Sequence, residues 1–233
     1  MLRLLLGVFI CLCLGALLTQ LVRGNVDPDA PPSVGRILVS TLCFHVGIIA
    51  LVWRFLHEHG FGWVTGFGFR RDGLKALGLG ALCVVLFLLV GWGCQIVSLK
   101  LLAKLGIEPS LQLALQALEN SSSAGELAAL AVVTIVLAPI AEETLFRGVL
   151  YPTIKQYGFP RAALWCTSAL FALIHFNVAI FVPLLLLALV LVWLYERTDN
   201  LLAPIAAHAT FNAVNFALFF LADDLARQLP PQT

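Results

Sequence analysis

Apolar and polar positions alternate along this chain on the scale of whole segments. Seven long apolar runs, 2–22, 36–56, 74–99, 127–151, 161–178, 180–195 and 201–221, are separated by short polar connections. Most approach the roughly 20 residues that an α-helix needs to cross a bilayer. The pattern predicts an all-α, polytopic membrane helix bundle of about seven transmembrane helices, with no soluble domain and no internal repeat. The first run follows Arg3, as the apolar centre of a secretory signal would. No small-x-small cleavage site follows it, so it is expected to stay as a helix; six spans would remain if it were removed.

The connections carry their own signals. Residues 25–33 hold Pro28, Pro31 and Pro32 and read as a loop. Residues 57–73 are rich in glycine and aromatics, and Phe61, Trp63, Phe67 and Phe69 are expected at a membrane interface. His57 and His59, in the same stretch, read as solvated. Leu111, Leu113, Leu115 and Leu118 suit an amphipathic helix lying on the membrane or over a site. The organisation expected is N-terminal helices over 1–124, a core over 125–222 and a polar tail over 223–233.

Composition supports the membrane class. The chain is 61% apolar and 12% charged, against about 25% charged in soluble domains, and its mean hydropathy is +0.97. A net charge of +1 gives no reason to expect a nucleic-acid partner; the lipid bilayer is the partner implied. All six cysteines lie in apolar runs and none forms a C-x-x-C pair, so they read as packing residues. With the N-terminus inside, eight Lys and Arg fall on the cytoplasmic side (Arg3, Arg54, Arg70, Arg71, Lys75, Lys155, Arg161, Arg197) and five outside (Arg23, Arg36, Lys100, Lys104, Arg227). That asymmetry favours an N-inside orientation.

Against this background the fourth run is anomalous. Glu142, Glu143 and Arg147 interrupt an otherwise apolar segment, where each charge costs roughly 2.5–3.5 kcal/mol on insertion scales. Glu143 and Arg147 are four apart and share a helix face. Glu142 is turned about 100° from Glu143 and faces elsewhere. The fifth run brings Phe171 and His175, and the seventh His208 and Asn212, each again four apart. A carboxylate, two imidazoles and an amide are an inventory for activating water and stabilising an oxyanion. His45, alone in the second run, is expected to be a hydrogen-bonded packing residue.

The ordered set Glu142-Glu143-x-x-x-Arg147, Phe171-x-x-x-His175 and His208-x-x-x-Asn212 resembles the CPBP family, the CAAX proteases and bacteriocin-processing proteins. The resemblance covers about 125–220. It implies a glutamate-dependent intramembrane endopeptidase acting on a peptide or membrane-protein substrate. Glu142 would activate water, and His175 would orient it or shuttle its proton. His208 and Asn212 would donate to the oxyanion, with Glu143, Arg147 and Phe171 in support. No cofactor is expected; in the alternative, Glu142, His175 and His208 would bind zinc. The resemblance also admits a non-catalytic membrane scaffold or bacteriocin-immunity protein using the same cavity. A small transporter would use the buried charges as an ion path. The absence of a large soluble domain suits a multi-pass protein of a bacterial inner membrane.

Overall fold

The computed structural model describes residues 2–21, 33–69, 72–107, 118–119, 121 and 123–228. Leu-, Val- and Ala-rich runs have only one economical way to satisfy their backbone in lipid, the α-helix. The described elements are α1 (Leu2–Leu21), α2 (Val34–Glu58), a single turn α3 (Trp63–Gly66), α4 (Gly73–Lys104), α5 (Ala124–Gln156), α6 (Pro160–Leu173), α7 (Val178–Thr198) and α8 (Leu202–Gln228). The chain is an all-α membrane bundle.

Every apolar run thus has its helix, though not every helix has the length of a crossing. Among the described residues, five are long and apolar enough: α2, α4, α5, α7 and the Leu202–Leu221 part of α8. The expected fifth span, 161–178, is corrected: α6 has 14 residues, about 21 Å at 1.5 Å per residue. That is short of a hydrocarbon core of roughly 30 Å. It stops at Leu173, and α7 starts afresh from Asn177, whose Oδ1 accepts the Ala179 N–H at 3.0 Å. α1, with 20 residues, is near the roughly 20 that a crossing needs. The predicted amphipathic helix lies outside the described residues except for Leu118, which is buried with Val34, Ile37 and Leu130. The helix of the last run, α8, continues past the predicted end, to Gln228.

α7 lies deepest, with 50% of its apolar window buried against 17–28% in the other four spans. It packs between α4 and α6; α8 runs along α4 and touches α5; α2 lies against the middle of α5, and α1 on α2. Close approach of α4 to α8 depends on Gly80, where a Cβ would fall on the Ala203 carbonyl oxygen. Trp92 Nε1 of α4 also donates to Asn215 Oδ1 of α8 at 3.2 Å. Exposed Leu82, Leu86 and Leu89 on α4 suit contact with lipid.

One ring of the aromatic connection packs inward. Phe67 is 1% exposed, and its ring occupies the space over Gly148, where a Cβ would come within 2.5 Å of it. Its carbonyl accepts the Leu201 N–H at 2.9 Å. Gly68 makes this possible with φ +71°, since a Cβ there would collide with the Asp199 carbonyl. The segment therefore wedges between α5 and the α7–α8 turn, while Phe61 remains exposed.

Candidate active site

α5 carries the charged motif, and its backbone is not a plain α-helix there. Two π-helical segments, Val133–Leu137 and Phe146–Leu150, flank the α-helical turn pair Ala138–Leu145. Each ends just before an Xaa-Pro pair, Ala138-Pro139 and Tyr151-Pro152. The first illustrates the cause. The Ala138 N–H bonds the Val133 carbonyl, a π-type link, and so does not serve Thr134, four residues back. The next donor would be Pro139, which has no N–H. The freed Thr134 carbonyl is met from α8 instead, by Asn212 Nδ2 at 2.8 Å. A buried carbonyl needs such a partner, so the π segment and Asn212 fix α8 against α5. Such π-bulges recur at functional sites.

Between the two π segments, Glu142, Glu143, Thr144 and Arg147 are all buried. The spacing of four pairs Arg147 Nη1 with Glu143 Oε1 at 2.8 Å. Arg147 Nη2 donates to the Ala188 carbonyl of α7 at 3.0 Å, and its guanidinium lies over the Phe171 ring, 4.7 Å from the centroid. Phe171, fully buried on α6, also meets Phe146 at 5.4 Å and His208 at 5.5 Å edge-on. One aromatic ring therefore sets the arginine, two helices and an imidazole relative to each other.

His208 of α8 stands between the two carboxylates. Its Nδ1 is 3.0 Å from Glu143 Oε1, and its Nε2 is 4.0 Å from Glu142 Oε2. Glu143 Oε1 is thus shared by a guanidinium and an imidazole. His175, in the turn after α6, has Nδ1 2.7 Å from the Phe171 carbonyl and its ring 5.0 Å from that of Phe171. His45 and His208 both lie within 4.0 Å of the Glu142 carboxylate.

His45 is buried and hydrogen-bonded, as expected of it, but its partner is the charged motif. Its Nε2 is 3.2 Å from Glu142 Oε1, while Nδ1 is 2.7 Å from the Thr41 carbonyl. The signal was present: an imidazole well inside an apolar helix is costly and marks a site by default. Glu142 Oε2 has no hydrogen-bond partner among the described residues.

Glu142, His175 and His208 are the residues that would hold zinc in the alternative. Among the described residues no three His, Cys, Asp or Glu side chains converge as ligands.

The three motifs lie inside a segment, residues 124–214, that matches the family described as Type II CAAX prenyl endopeptidase Rce1-like. The resemblance drawn from the motifs holds over that segment. The chain is also 27% identical over 96 residues to the UPF0177 protein YxdF of Lactococcus lactis subsp. lactis (strain IL1403), covering 41% of this chain and 52% of that protein. It is 36% identical over 83 residues to the Uncharacterized protein YpbD of Bacillus subtilis (strain 168), covering 34% and 40%. The chain thus spans about half the length of the first and two fifths of the second. No solved structure matches it at a significant level.

Proposed function

We propose, with the Rce1-like segment as premise, that this protein is an intramembrane endopeptidase that hydrolyses a peptide bond with a water activated by Glu142. The observation that carries the reading is the pair of atoms Glu142 Oε2 and His208 Nε2, 4.0 Å apart in a buried site. That separation is too long for a direct hydrogen bond. One oxygen at about 2.8 Å from both atoms would subtend roughly a right angle, a geometry water accepts.

In the proposed reaction Glu142 Oε2 takes a proton from water as the water oxygen bonds the scissile carbonyl carbon. The carbonyl π pair moves onto oxygen. Asn212 uses one amide N–H on Thr134 and offers the other to that oxyanion. His208 can donate from Nε2 only as the imidazolium, because its Nδ1–H is directed at Glu143. Carboxylates on both sides support that charge. As the C–N bond breaks, the proton held by Glu142 passes to the leaving amine, with His175 as the shuttle. The products are a carboxylic acid and an amine, and no metal enters any step. Glu143, Arg147 and Phe171 hold the frame. The substrate is a peptide or membrane protein, and the bacterial relatives support placement in a bacterial inner membrane.

The test compares cells with wild-type protein and with Glu142→Gln at matched expression, mapping new peptide N-termini in membrane and secreted fractions. Termini made only by the wild type are expected. A phenotype of the wild type that persists in Glu142→Gln, with identical termini, would overturn hydrolysis in favour of a non-catalytic scaffold.

A further inference from the structure

His45 lies on α2, outside the matched segment and outside all three motifs. We propose that His45 is a positioning residue for Glu142: its Nε2 holds a proton against Glu142 Oε1 and so leaves Oε2 as the oxygen that faces the reacting water. The last clause rests on the hydrolytic reading; the pairing itself stands on geometry.

The hydrogen inventory comes first. A carbonyl oxygen only accepts, so His45 Nδ1, 2.7 Å from the Thr41 carbonyl, donates to it. A neutral imidazole has one N–H. Its Nε2 would then turn a lone pair toward Glu142 Oε1 at 3.2 Å. Two lone pairs facing at that distance repel. A proton between them converts the contact into a charge-assisted hydrogen bond.

Charge matching leads to the same place. Glu143 has Arg147 at 2.8 Å. Among the described residues, the ion-pair partners of Glu142 are the imidazoles of His45 and His208. A buried carboxylate oxygen is expensive unless it is paired, and the neighbour of Glu142 Oε1 is the His45 imidazole, a side chain able to carry a charge. His208 is engaged by Glu143 and stands 4.0 Å off, so the direct contact falls to His45. The ring cannot swing away, because Nδ1 is tied to its own helix one turn back and α2 packs on the middle of α5. With Oε1 held, the carboxylate cannot exchange its two oxygens, and Oε2 stays toward His208.

The test uses the full chain with nitrogen-15-labelled histidine in lipid nanodiscs at neutral pH. The chain has five histidines, and the signal missing in His45→Gln assigns His45. The wild type is expected to show His45 protonated on both nitrogens. Glu142→Gln is expected to lose the Nε2–H and leave the neutral Nδ1–H form. A neutral His45 in the wild type overturns the proposal, as does a His45 pattern unchanged by Glu142→Gln. If that variant does not fold, the wild-type spectrum alone decides. A doubly protonated His45 in a protein that yields no new N-termini upholds the pairing and sinks the hydrolytic reading. A neutral His45 in a protein that does cleave does the reverse.

Discussion

Replacing Arg147 with methionine should be among the most damaging single changes in the molecule. The guanidinium is 1% exposed and meets Glu143, the Ala188 carbonyl and the Phe171 face together. Methionine matches much of its aliphatic bulk, so the loss is mainly electrostatic. Removing one partner of a buried ion pair costs about 3–5 kcal/mol, because the other charge is stranded. A desolvated cation–π contact adds up to about 2 kcal/mol. Against a total stability of about 5–15 kcal/mol, that leaves a protein near its limit. The assay is reversible unfolding in mixed micelles, followed by helix content, on wild type, Arg147→Met, Glu143→Gln and the double variant. In Glu143→Gln/Arg147→Met no charge is stranded, and the amide oxygen can still accept from His208 Nδ1. The double variant should therefore be more stable than Arg147→Met alone, with a coupling of about 1–3 kcal/mol. A loss below about 1 kcal/mol in Arg147→Met, or a double variant as unstable as the sum of the singles, would refute the reasoning.

Two further predictions concern how the helices are held. Asn212→Ala should cost about 1–3 kcal/mol by orphaning the Thr134 carbonyl; in a Pro139→Ala background, where residue 139 regains an N–H, that cost should shrink in the same unfolding assay. Gly80→Ala forces a methyl onto the Ala203 carbonyl and should lose at least about 1–3 kcal/mol, whereas Gly78→Ala, with open space around it, should be near neutral; equal effects at the two sites would contradict the helix packing.

Much of the site was legible because its pairings are local. Glu143 and Arg147 are one helical turn apart, so any helix through them brings them together, and they meet at 2.8 Å. Phe171 and His175 are also four apart, and their rings lie 5.0 Å from each other. His45 was not legible in the same way. It is 97 residues from Glu142, and no periodicity says which face of α2 turns to α5. The role of Asn212 toward Thr134 was hidden too, because the open carbonyl arises only from the π segment before Pro139. The signal for that segment, a proline inside an apolar run, was in plain view. The burial of Phe67 was not legible either, because the space above Gly148 that its ring fills is made by tertiary packing.

The sequence by itself determined the membrane class, the place of the long apolar helices along the chain and the identity of the charged motif, since these follow from hydropathy and from spacing within one helix. It also carried enough of the three-motif pattern to point to the family. Tertiary structure decided which oxygen of Glu142 meets which imidazole, how Asn212 is occupied and where α6 ends short of a crossing. Those outcomes depend on helix rotation and approach, set by contacts such as Gly80 against Ala203 and Phe171 against Arg147. Such contacts join residues far apart in the chain, and their energies exist only once the faces have met.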